Sequence, residues 1–234
     1  MFEEIKEYKY KMETHCHSNP VSGCSEFSPE EVVRKYKKQQ FDSIVLTNHF
    51  INVEKYRQNK TEFVKWWLED YYRAKAEGEK VGLLVHLGME IRFANINNND
   101  YLVYGIDEED VKKAADYLDS DLETFYKEFK NDKNVILQAH PCRNGIEVAD
   151  PAFVDGYEVF NMHPEHNQRV PVARELLNLR DGLLVCGGTD FHHEGHEGAM
   201  ATCTKTLPRS SFEVADILKK QDLVFDLRGS IIIP

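Results

Sequence analysis

Short apolar runs alternate along this chain with longer segments whose apolar positions recur at helical spacing. Residues 9–17 read as a strand. Ser28-Pro29-Glu30-Glu31 then opens a helix that runs to about Gln40. Ser28 suits the N-cap, Pro29 the first turn, and Glu31 completes a capping box. Residues 42–47 (DSIVLT) form a short strand, and 53–77 a long helix carrying Trp66 and Trp67. Adjacent residues cannot share a helix face, so one tryptophan is expected in the core and the other at the rim or an oligomer contact. Strands are predicted at 81–93 and 101–104, helices at 108–118 and 122–131, and strands at 135–139 and 156–160. A helix at 170–179, a strand at 183–187, a helix at 212–220 and a strand at 223–227 complete the series. Strands alternating with amphipathic helices imply a parallel sheet, closed as a barrel or doubly wound.

The polar residues at the strand ends favour the barrel, because such barrels build their sites where strands end. His15 and His17 close the first strand, and period two puts them on one face. His49 follows DSIVLT, Glu90 lies in VGLLVHLGMEIRF, and Asp100 precedes YLVYG. His140 follows VILQA, Glu158 lies on GYEVF, and Asp190 and His192 follow LLVCGG. Converging imidazoles and carboxylates desolvate or repel one another, a cost that divalent cations remove. Nitrogen and oxygen donors with few thiolates suit Zn, Mn or Fe, and there are more donors than one tetrahedral ion can use. A lone strand-end histidine is ordinarily a satisfied surface or core residue. Here it is the ordered co-occurrence on successive strands that carries weight.

Length and composition narrow the picture. The 234 residues fit one domain, expected to span 1–234, and 41% apolar content supports a sizeable core. A formal net charge of -11 argues against a long nucleic acid as partner. The five cysteines are an odd number without regular spacing, and the first residues form no apolar signal segment, so a reducing cytoplasm is expected. No apolar run approaches membrane-spanning length.

METHCHS, LTNHF, the Glu of GMEI, QAHP and GGTDFH, in that order, resemble the PHP (polymerase and histidinol phosphatase) family over roughly residues 10–228. The resemblance implies a distorted (β/α)7 TIM-like barrel with two or three divalent metals. It implies that His15, His17, Glu90 and Asp190 hold one metal, that Glu90 bridges to a second completed by His140 and Asp100, and that His49 and His192 hold a third. The chain departs from the family's pattern in two places. Asp100 stands where the family usually has His, which hardens the site toward Mn or Fe. Where the family often has Asp or His shortly after His-x-His, this chain has Val21-Ser22-Gly23-Cys24-Ser25. Either Cys24 ligates the third metal as a thiolate or that site is weak.

Arg143, just after His140, is a candidate to fork onto a substrate phosphate. Among the loop histidines His163, His166, His193 and His196, His193 adjoins His192 and is the candidate acid for the leaving group. Glu158 is expected to orient a ligand. Cys16 should face away from the paired histidines. The expected activity is hydrolysis of a small phosphomonoester by a hydroxide bridging two metals, with Glu90 and Asp190 central. The alternatives are a phosphodiesterase or nuclease on short nucleotides, an amidohydrolase-type hydrolase, and a non-catalytic metal-binding domain.

Overall fold

The computed structural model describes residues 5–94 and 97–234 of the chain. The expected single domain therefore includes a few residues that lie outside the described set. The fold is mixed α/β. Its first sheet contains β1 (Tyr10–Cys16), β2 (Ser43–Leu46), β4 (Leu84–Leu87), β10 (Ala201–Thr204), β11 (Leu223–Leu227) and β12 (Ser230–Ile232). Its second contains β3 (His49–Phe50), β5 (Met89–Ile91), β6 (Tyr101–Tyr104), β7 (Val135–Gln138), β8 (Gly156–Asn161) and β9 (Leu184–Gly188). The orders are β12-β11-β10-β1-β2-β4 and β3-β5-β6-β7-β8-β9.

The expectation of an all-parallel sheet is corrected here. The strands are not all parallel: β6 runs antiparallel to both β5 and β7, and β10 antiparallel to β1. The reason for β6 is its connection. Among the described residues no helix stands between Ile91 and Tyr101, and a strand that returns without a crossover helix pairs antiparallel. Nor do the described strands form one closed ladder; they register as two sheets. The chain passes from one sheet to the other at Thr47-Asn48, between β2 and β3, and at Gly88, between β4 and β5. At Gly88 a Cβ would come within 2.7 Å of Val45 Cγ1, so the second break needs glycine. An isolated parallel bridge joins Cys16 to Phe191, just beyond β9.

The helices follow local chemistry. α1 (Pro29–Lys38) has the capping box, Ser28 accepting from the Glu31 amide and Glu31 from the Ser28 amide. The long helix starts later than expected, as α2 (Lys60–Val81), because Asn59 caps it after a 3-10 turn at Glu54–Tyr56, and Gly82 ends it with φ 73°. Trp67 is buried and donates Nε1–H to the His49 carbonyl at 2.9 Å, while Trp66 is half-buried at the edge of the core. α3 (Glu108–Ala114) and α4 (Leu122–Phe129) precede β7, and α5 (Val170–Glu175) ends early in a 3-10 turn. α6 (Ser211–Lys220) lies between β10 and β11. Among the described residues no helix is long and apolar enough to cross a membrane.

His86 on β4 is a buried residue whose Nε2 has no hydrogen-bond partner. Burial pushes its imidazole down to about 4, against the opposing pull of Glu213 and the Pro208 carbonyl. A depressed folded-state value means that the native state resists the proton. Stability is therefore intact above the unfolded value near 6.5 and falls as pH drops toward 4. The full loss is about 3 kcal/mol. Denaturant unfolding of metal-free protein at pH 7.5 and 4.5 should show a smaller acid loss in His86→Gln than in the parent. Equal losses in the two proteins would sink this account.

Candidate metal centre

The strand ends bring the predicted donors to one place. His15, at the end of β1, is fully buried, and its Nε2 lies 3.0 Å from His17 Nε2, 3.2 Å from Glu90 Oε1 and 3.4 Å from Asp190 Oδ1. His17 Nε2 lies 3.5 Å from Glu90 Oε2 and 3.3 Å from Asp190 Oδ1. His49 Nδ1 is 2.7 Å from Glu90 Oε2, and His140 Nε2 is 3.2 Å from Glu90 Oε1 and 3.7 Å from Asp100 Oδ2. The His192 ring stacks on His17 with centroids 4.3 Å apart. Asp190 and His140 both have positive φ, 54° and 31°, which turns the chain sharply past β9 and β7 and aims both side chains inward.

Three groups of donor atoms result: His15, His17 and Asp190; Glu90, Asp100 and His140; and His17, His49 and His192. The first lacks the Glu90 that the family resemblance implies for it, the second holds the three residues implied for the second ion, and the third adds His17 to His49 and His192. Cys24 Sγ stands 3.3 Å from His49 Nε2, beside that third group. Burial works against its thiolate, but hydrogen bonds from His192 and His49 bring it down to about 6.

The donor chemistry fits divalent cations. Two imidazole nitrogens 3.0 Å apart, as in His15 and His17, can share at most one proton. His49 Nδ1 and Glu90 Oε2 approach to 2.7 Å without making a hydrogen bond, so the two buried polar atoms face a common space. Burial alone would strip His15 of its proton. Glu158, Asp190 and Glu90 outweigh that and hold it well above the ordinary value. Burial likewise opposes ionisation of Glu90, but His15 and His49 hold its carboxyl well below the usual range. Asp100 goes the other way, raised by burial and by the Glu90 charge.

Around these donors lies a brace. Glu158 Oε1 sits 2.8 Å from His15 Nδ1, and its Oε2 accepts from the His140 amide at 3.0 Å and from Asn161 at 2.9 Å. It thus holds the His15 ring on β1 and the backbone of His140 just past β7. Glu13, unpredicted, accepts from the amides of Thr14, His15 and Thr189 and from the Tyr36 hydroxyl, so one buried carboxylate ties β1 to the turn before Asp190. Ser22 accepts from the His49 amide, donates to Asn48, and lies 3.1 Å from His17 Nδ1. These residues sit away from strand ends or read as ordinary core and turn residues, so no spacing signals them.

The centre opens into a cleft of about 250 Å³. Arg143, His163 and His193 line it, as does Arg92, which sequence reasoning missed. Arg92 forks onto Asp100 with both contacts at 2.7 Å, and Arg143 donates to Asp190. Arg92 lies two residues beyond Glu90, on the same strand face, which was the available signal. His193 Nδ1 is 3.3 Å from Glu26 Oε1. Cys16 points away from the donors, toward the Val45 carbonyl.

This geometry defines a class, a mixed α/β protein whose buried His, Asp and Glu clusters are suited to metal-dependent hydrolysis. The PHP domain matches residues 13–227, and the chain belongs to the PHP family. No curated protein matches it in sequence. Solved structures resemble it at low identity. One is a two-domain protein from Bacteroides vulgatus containing a predicted PHP-like metal-dependent phosphoesterase. It has TM-score 0.62 and 17% identity, with 95% of this chain and 66% of that one covered. PsfC from Pseudomonas syringae gives TM-score 0.55 and 17% identity, over 87% of this chain and 86% of that one. An amidohydrolase from Chromobacterium violaceum, solved with sulfate and no metal, gives 0.53 and 14%, over 80% and 89%. At these identities the likeness concerns the fold.

Two outcomes are expected. Free Mn²⁺ at about 100 times its Kd should stabilise chelator-stripped protein by about 2.7 kcal/mol, a melting rise of about 5–10 °C. An unmoved melting curve with every divalent ion tried would mean that the donors do not bind metal. Glu158→Gln should weaken metal affinity about 10–100-fold, as titration with a competing chelator would show.

Proposed function

We propose that this chain is a metal-dependent phosphoesterase that hydrolyses a small phosphomonoester with two or three divalent ions, Zn, Mn or Fe. The observation that carries the reading is the set of three neighbouring donor groups, two of them sharing His17 and each with a member lining one small cleft walled by two arginines. His15, His17, Glu90 and Asp190 would hold one ion, and Glu90, Asp100 and His140 a second. His49 and His192, with Cys24 beside them, would hold a third. A further part of the proposal is that the two sheets are halves of one distorted barrel, supported by the chain crossings at residues 47–48 and 88 and by the Cys16–Phe191 bridge.

Bound cations would supply Lewis-acid charge and an activated water. The residues do the rest. Glu90 and Asp190 carry the negative charge that holds the cations. Arg143 and Arg92 present planar donors to the phosphate oxygens and favour the extra charge that develops on them. Burial pushes His163 down to about 3, so it stays neutral and serves as a hydrogen-bond partner. His193, open to the cleft with Glu26 beside it, is placed to hand a proton to the leaving alcohol.

The test begins with elemental analysis of protein purified without chelator, followed by a screen of phosphate esters in the metal found. Two or three ions per chain are expected, as the three donor groups allow. Glu90→Gln and Asp190→Asn should lose both metal and turnover. Arg143→Ala should lower kcat/KM by about 100-fold with metal content retained, and Arg143→Lys should recover part of the loss. A fully loaded protein that releases phosphate from no ester would refute the proposal.

A further inference from the structure

The metal cleft is not the largest cavity on its side of the fold. A second cavity of about 910 Å³ lies against it, and His163 and His166 line both. The dividing wall consists of residues that hold the reacting end. Asn161 contacts Asp190 at 3.2 Å and Arg143 at 3.2 Å, and Gln168 Oε1 accepts from Arg143 Nε at 3.4 Å. The larger cavity is thus joined to the cleft through the partners of Arg143.

Size and lining separate the roles of the two spaces. About 250 Å³ suits metal ions and a phosphate, whereas about 910 Å³ is the scale of a whole organic ligand. Met162, Val170, Ala199 and Leu227 give the larger space an apolar wall. Its one acidic residue, Glu194, pairs with Lys35. Two polar atoms of this lining have no partner, His196 Nδ1 and Gln168 Nε2, and of these only the Gln168 amide is tied to the reacting end, through Arg143. Gln168 is 7% exposed, and its Nε2 amide has no acceptor. The orientation of that amide follows from Arg143: a guanidinium only donates, so the Gln168 oxygen must face it and the NH₂ must face away. A buried, unpaired donor is costly unless something supplies an acceptor.

We infer that this cavity is the leaving-group pocket of the same centre and that Gln168 is its specificity-determining donor. The substrate is then a phosphomonoester of a bulky alcohol with an apolar, ring-sized face and a hydrogen-bond acceptor, not a cationic amine. The inference rests on the phosphoesterase reading above and adds the nature of the alcohol. Gln168 also couples the two ends, since the amide that meets the leaving group through its nitrogen positions Arg143 through its oxygen.

The experiment is calorimetric binding of methylphosphonate, phenylphosphonate and 4-acetylphenylphosphonate to the manganese-loaded protein, with hydrolysis of ethyl phosphate measured alongside. Phenylphosphonate should bind about tenfold or more tightly than methylphosphonate, and the acetyl carbonyl should add further affinity. Ala199→Trp, which fills the pocket, should collapse the preference for the ring. Gln168→Glu keeps an acceptor toward Arg143 but removes the donor, so it should abolish the acetyl gain while the ring preference persists. Equal affinity for methyl and phenyl probes, with ethyl phosphate still hydrolysed, would overturn the pocket and leave the phosphoesterase standing. Retention of the acetyl gain in Gln168→Glu would overturn the role of Gln168. Absence of both phosphonate binding and ester hydrolysis would take down both readings.

Discussion

The structure depends on one electrostatic constraint. Glu90, Asp100, Glu158 and Asp190 are buried together with His15, His17 and His140. Packing so many ionisable groups out of water is expensive unless each charge meets an opposite one. The protein meets this cost partly with its own cations. Arg92 forks onto Asp100, Arg143 reaches Asp190, and protons on His15 and His49 balance Glu90. Divalent ions would balance the same charge with denser positive charge and better-directed bonds. The groups best placed to receive them are those whose nitrogens and oxygens face one another without hydrogen bonds.

Holding such a centre requires rigidity behind it. Glu158 fixes His15 and the chain at His140, Glu13 locks β1 against the Thr189 turn, and Ser22 with Asn48 fixes the turns carrying His17 and His49. Close packing serves the same end. At Gly188 a Cβ would come within 2.5 Å of His15 Cβ, so glycine allows β9 to lie directly against β1 just before Asp190. The breaks in the strands at Thr47-Asn48 and Gly88 also belong to the site, since they redirect the chain immediately before His49 and Glu90.

Much of this was legible in the linear chain. The capping box at Ser28, the short apolar strands and the donors at their ends are local features, set by side-chain chemistry and by periods of two and 3.6 residues. Glu158 could be named as an orienting residue because it matches a position that the resembling family often fills with Glu. The later start of α2 was missed because a 3-10 turn and a loop carry similar residues to the helix that follows. The strands β10 and β12 were missed because ATCT and SII are too short to stand out from loops.

The sequence by itself pointed to the class of the protein through the resemblance its motifs carry, and it marked the candidate donors and the strand ends that bear them, because residue type and local spacing are written in the linear chain. Only the tertiary structure decided the rest. The antiparallel entry of β6, the division into two sheets, the Arg92–Asp100 and Arg143–Asp190 pairs, the Glu13 brace and the second cavity behind Gln168 all belong to it. Each depends on which segments meet in space once the core has packed, and no local period encodes that.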